Sequence, residues 1–136
     1  MDIAKAIAIS ARGMDVQTAR LRVIAENIAN QDSTGSTPGA DPYRRKTITF
    51  ENRLDKELGT EAVRVRKIDT DRSEFPQRFD PSHPAADKDG YVLMPNVNPL
   101  LELMDMREAQ RSYQANLNVI DAAKTMISRA LDLLHG

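Results

Sequence analysis

The chain contains no cysteine, which excludes a disulfide framework and any thiolate metal site. Its compartment stays open, because a cysteine-free chain suits reducing and oxidising surroundings alike. Aromatic residues fill only 4% of the 136 positions, so one domain-sized core of modest richness is the expectation. No apolar run approaches the roughly 20 residues that a membrane-spanning helix requires. The start, MDIAKAIAIS, lacks the basic residues, continuous apolar stretch and cleavage site of a signal peptide. A protein of this kind that leaves the cytoplasm needs a route without a cleaved signal.

A surplus of one charge is missing too. Nineteen Lys+Arg stand against 20 Asp+Glu, a formal net charge of -1. Residues 1–40, 41–96 and 97–136 are each close to balance. The clusters Arg44, Arg45, Lys46 and Arg64, Arg66, Lys67 are accompanied by Asp41, Glu51, Asp69 and Asp71. Solvated charge is therefore the expectation, and nucleic-acid binding is not.

Local signatures of chemistry are also lacking. There is no Gly-rich phosphate loop, nucleophile elbow or HExxH. His83 and His135, the only histidines, have no paired carboxylate motif nearby and read as surface residues. Asp87-Lys88-Asp89-Gly90 opens like a calcium loop, but the twelfth position is Asn98 and Pro95 interrupts, so a tight turn is expected. No catalytic residue, metal, cofactor or small-molecule substrate is expected, and a structural or binding role is favoured over an enzyme.

What the sequence does have is periodicity. Residues 3 to 29 predict an amphipathic helix about 40 Å long. One row spaced by sevens is Ile7, Met14, Leu21 and Ile28; beside it run Ile3, Ser10, Gln17 and Ile24. Gly13 costs this helix about 1 kcal/mol relative to Ala. Asn30 to Gly39 carries the residues that end helices. The C-terminal third repeats the pattern with Met106, Tyr113, Ile120, Ile127 and Leu134, and with Leu103, Gln110, Leu117, Lys124 and Leu131. Asn98 is its expected N-cap and Pro99 its first residue. A third apolar line, Val119 to Leu133, gives it more than one neighbour. Between the helices lie five of the six aromatics, most of the prolines and two to four short strands, including YRRKTITF, AVRVRKI and YVLM.

The expected organisation is thus residues 1–39 (helix and loop), 40–97 (central module) and 98–136 (helix), the two helices forming one axial core. The expected fold class is mainly α: long terminal helices in a coiled-coil-like pair, with a small β-containing, loop-rich module between them. The candidate assembly interface is Ile7, Met14, Leu21, Ile24, Ile28, Leu103, Met106, Tyr113, Leu117, Ile120, Ile127 and Leu131.

Two stretches are more specific than periodicity. IAENIANQDSTG with DPYRRK, and DPSHPAADKDGYVLMPNVN followed by ELMDMREAQRSYQANLNVI, together cover nearly the whole chain. They resemble the flagellar rod and hook axial protein family, and the short length favours its short rod members. The residues that carry the resemblance are Asn27, Ala29, Asn30, Tyr43, Arg44, Arg45, His83, Pro84, Gly90, Tyr91, Pro95, Asn96 and Asn98. The resemblance implies a non-enzymatic rod subunit of the bacterial flagellum basal body, exported by type III secretion without signal cleavage. It implies helical self-assembly into a tube that transmits torque for motility and encloses the export channel. The implied partners are other copies, the rod proteins FlgB and FlgF, the rod-base adaptor FliE and the inner membrane ring. Alternatives are a FlgB-like short rod protein and a cytoplasmic helical adaptor that binds one partner through its heptads.

Overall fold

The computed structural model describes residues 2–136. In chain order it holds helix α1 (Ile3–Ala29), strands β1 (Lys46–Asp55), β2 (Thr60–Thr70), β3 (Gln77–Phe79) and β4 (Tyr91–Leu93), and helix α2 (Pro99–His135). Local chemistry sets the helix ends. Asp2 Oδ1 accepts the Ala4 N–H at 3.0 Å, satisfying one of the donors left free at an α-helix N-terminus. Asn30 Nδ2 donates to the Glu26 carbonyl at 2.9 Å and closes the other end of α1. Asn98 Oδ1 accepts the Leu100 N–H at 3.1 Å, with Pro99 at the first helical position, where no N–H is needed.

The mainly α, coiled-coil-like fold class is overturned. Helices hold 47% of the chain and strands 20%, in two small antiparallel sheets, so the class is mixed α and β. One sheet pairs β1 with β2; the other pairs β3 with β4, Phe79 opposite Tyr91. The reason lies in residues 46–70, where Ile48, Phe50, Val63 and Val65 alternate with charged and polar residues and are all half-buried. Two strands of 10 and 11 residues carry these half-buried side chains and the buried Ala62. The helices therefore do not have to bury everything on each other.

The chain divides into two compact units. The first comprises Met1–Leu21, Thr49–Lys67 and Arg107–Gly136; its buried residues include Ser10, Val16, Ala62, Ala109 and Ala123. Within it α1 and α2 run antiparallel, for Gly13 meets Asn116 and Arg20 pairs with Glu108 at 3.5 Å. Arg12 joins the hairpin through Asp55 at 3.1 Å and Glu57 at 3.4 Å. The second unit comprises Arg22–Ile48 and Ile68–Met106, around Val23, Ile24, Asn27, Val92 and Glu102.

Small and polar residues make the helix seam. Ala6, Gly13, Arg20 and Asn27 recur by sevens on α1, and Glu102, Ala109, Asn116 and Ala123 by sevens on α2. Gly13 touches Asn116, and Asn27 touches Glu102 at 3.4 Å. The leucine-rich coiled-coil pairing expected from the sequence does not form: of the α1 rows Ser10 and Ile24 are buried, and on α2 the buried apolar residues are Ala109 and Ala123. Short side chains let two backbones approach closely.

Candidate assembly interface

Of the helix positions marked from the sequence, Ile24 is buried, while Ile7, Met14, Leu21, Ile28, Met106, Tyr113, Leu117 and Ile120 are half-buried. Leu103, Ile127 and Leu131 are exposed. The apolar surplus is greatest at the end of α2, where exposure rises from 40% at Ile127 to 85% at Leu133. Ile3, Ala6, Val119, Ala122, Ala123 and Met126 line a shallow apolar groove on the first unit.

The motif residues do a different job and converge within the second unit. Buried Asn27 uses its side-chain amide as a strand edge would use a peptide. Its Oδ1 accepts the Lys46 N–H and its Nδ2 donates to the Lys46 carbonyl, both at 2.9 Å. The same Oδ1 accepts the Tyr43 hydroxyl at 2.7 Å, and burial raises the Tyr43 pKa. With the Nδ2 donation to Glu102 Oε1 at 3.4 Å, four bonds satisfy every donor and acceptor of the amide, and the beginning of β1 is held to the end of α1. Ser33 Oγ donates to Asn30 Oδ1 at 3.0 Å, and the Ser33 carbonyl accepts the Tyr43 N–H at 2.8 Å. Ala29, between the two asparagines, is exposed.

Arg45 is the electrostatic centre. Its Nε donates to Glu102 Oε1 at 2.5 Å, with Asp71 at 3.6 Å and Asp105 at 3.7 Å. Burial works against the guanidinium charge, but the Glu102 bond and the three carboxylates outweigh it and raise the Arg45 pKa. Arg45 is thus the counter-ion of the fully buried Glu102, held through Oε1. Asn96 Oδ1 accepts the Arg45 N–H at 2.7 Å, and its amide donates to the Asp71 carbonyl at 2.9 Å. Arg44 donates to that same carbonyl at 2.9 Å and lies 4.2 Å from the Phe75 ring centroid.

The His83 to Asn98 stretch is a stapled loop. His83 Nδ1 accepts the Ala85 N–H at 3.0 Å, so a neutral ring carries its proton on Nε2, which lies 3.2 Å from Thr34 Oγ1. Pro84 is exposed and Pro95 buried. Asp87 Oδ1 accepts the Asp89 and Tyr91 N–H groups, each at 2.9 Å, so this carboxylate builds the tight turn. Gly90 sits at φ +86, and a β-carbon there would lie 2.9 Å from the Phe79 ring. Tyr91 packs edge-on to Phe79 with centroids 5.4 Å apart.

Sequence reasoning missed Glu102, Asp71, Asn116 and Ala109 as key positions. The available signal was the spacing of Glu102, Ala109, Asn116 and Ala123 by sevens, which a search for large apolar residues passes over.

The chain is similar to known flagellar rod proteins. The family model described as flagellar basal body rod FlgEFG protein C-terminal matches residues 88–133. The flagellar basal-body rod protein FlgC of Agrobacterium fabrum is 55% identical over 126 residues, 93% of this chain and 91% of that protein. FlgC of Borreliella burgdorferi is 39% identical over 154 aligned positions and the full length of both chains. FlgC of Salmonella typhimurium is 36% identical over 127 residues, 92% of each. With identity at this level along almost its whole length, the chain belongs to the FlgC family of flagellar basal-body rod proteins.

Proposed function

We propose that this chain is a non-enzymatic subunit of the flagellar rod, one that polymerises through α1 and α2 into a helical tube. The tube transmits torque and surrounds the export channel. The carrying observation is the apolar surface of α2, which one chain leaves in water at Leu103, Met126, Ile127, Leu131, Leu133 and Leu134. That surface gains several kcal/mol when neighbours cover it, at about 25 cal/mol per Å² of apolar area removed from water. The interface residues are those of the helical rows, Ile7 to Ile28 and Leu103 to Leu131, while residues 40–97 bridge to adjacent subunits. Neighbours are other copies, FlgB, FliE and FlgF, within the inner membrane ring. The contacts of Asn27, Arg45 and Asn96 described above stiffen each subunit.

Leu131→Asp tests this reading. Leu131 is exposed, so the variant should melt like the wild type, within ~0.5 kcal/mol. In a strain lacking its own copy of the gene it should fail to restore swimming, because the rod repeats the buried charge in every subunit. Normal swimming by that strain would refute a helix-packed rod.

A further inference from the structure

Two surfaces of this chain complement each other in charge and chemistry. The first is on the second unit. Phe79 is 63% and Tyr91 43% exposed, an unusual amount for a stacked aromatic pair on strands of three residues. Beside Tyr91 lies a hollow of about 190 Å³ lined by Gly39, Ala40, Ala85 and Leu93. The adjoining turn carries Asp87 and Asp89 against Lys88 alone, while Asp80 has Arg78 at 4.0 Å. The face is aromatic and net acidic.

The second surface is on the β1–β2 hairpin of the first unit. Residues two apart on a strand share a face, which places Glu51 and Arg53 together on β1, and Arg64 and Arg66 together on β2. Glu51 accepts from Arg64 at 2.7 Å and lies 4.0 Å from Arg53. The Arg64 bond, with the fields of Arg53 and Arg66, holds the Glu51 carboxyl below its ordinary range. One carboxylate thus pairs with two guanidiniums, and with Arg66 on the same strand face as Arg64 the surface keeps a positive surplus.

We propose that the Phe79–Tyr91 face of one copy docks the arginine face of the β1–β2 hairpin of a second copy. The proposal rests on the rod reading and names a contact within it. Arginine suits both halves of the acceptor, because a guanidinium stacks on aromatic rings and also pairs with carboxylates in plane. The chain already uses the first of these contacts internally, at Arg44 and Phe75. Two different patches meet, so the contact is heterologous and propagates as an open helix instead of closing a dimer. Its polar rim makes it salt-sensitive, whereas the helix contacts are apolar.

The absence of natural cysteine makes the test clean. Asp89→Cys and Arg66→Cys are prepared separately, both at exposed positions, and checked for unchanged thermal unfolding. They are then mixed as purified chains and oxidised. The expected result is a cross-linked dimer from the mixture, several-fold above either variant alone, that weakens between ~50 mM and ~500 mM salt. No dimer, or dimers equally strong in each variant alone, overturns the contact. Complementation of a deletion strain by the wild-type chain separates the two levels: restored swimming without the mixed cross-link refutes this contact only. Failure of the wild-type chain to restore swimming refutes the rod reading itself, and the contact with it.

Discussion

Gly13 and Asn116 stand so close that a methyl group on Gly13 would lie 2.8 Å from the Asn116 amide nitrogen. Asn116 is itself tied, donating to the Ser112 carbonyl at 3.0 Å. The glycine that weakens α1 locally is therefore what admits α2.

Two opposed effects follow for Gly13→Ala. Helix propensity favours the change by about 1 kcal/mol, and displacement of the Asn116 amide opposes it. Alone, the substitution should stabilise by well under that amount or destabilise. In an Asn116→Ala background the full gain should return. Urea unfolding of the four proteins of this cycle checks it; purely additive effects would show that the contact carries no energy.

Removing the amide of Asn27 exposes a different dependence. Asn27→Ala strips the Tyr43 hydroxyl, the Lys46 N–H and the Lys46 carbonyl of their partner at once. Each unsatisfied buried group costs ~1–3 kcal/mol, so the loss should be on the order of 3 kcal/mol in chemical denaturation. A loss below ~1 kcal/mol would mean that water replaces the amide easily.

Acid should loosen the second unit through Asp71. Its carboxyl is held below the ordinary 3.8 by the Ser73 N–H and hydroxyl, then by Arg45. A folded pKa below the unfolded one means that the stabilisation is complete above pH ~4 and disappears as pH falls through the folded value. Melting temperature should drop on that limb, and Asp71→Asn should make the drop shallower. Parallel acid limbs for the two proteins would remove Asp71 from the account.

At Gly90 the backbone and the packing both forbid a side chain. Its φ of +86 is strained for other residues, and a β-carbon would also meet Pro81 at 3.0 Å. Gly90→Ala should cost more than ~1 kcal/mol and separate Phe79 from Tyr91, read as a changed aromatic circular dichroism signal. An unchanged near-ultraviolet spectrum would argue that the pair does not depend on this turn.

Much of this protein was legible without coordinates. The bounds of α1, the Asn98 cap, the Pro99 start and the Asp87–Gly90 turn all follow from interactions within a few residues. The family motif was legible as well, though not its purpose. Asn27 and Asn30 sit in one helical turn, yet one seals β1 and the other ends α1, a division that only the path of residues 31–46 creates. The weight of the β-structure was underestimated because a hairpin's pairing depends on partners distant in sequence, and its apolar residues are diluted by charge.

The sequence by itself determined where the two helices run and which residues recur every seven positions along each, because both follow from helical geometry and local capping. Which of the seven positions turns inward was decided by tertiary structure. On α2 that position holds Glu102, Ala109, Asn116 and Ala123, since the hairpin shares the burial of the core and close backbone approach favours small side chains over leucine. The same choice leaves Leu131, Leu133 and Leu134 in water, the surface proposed above for contact with other subunits.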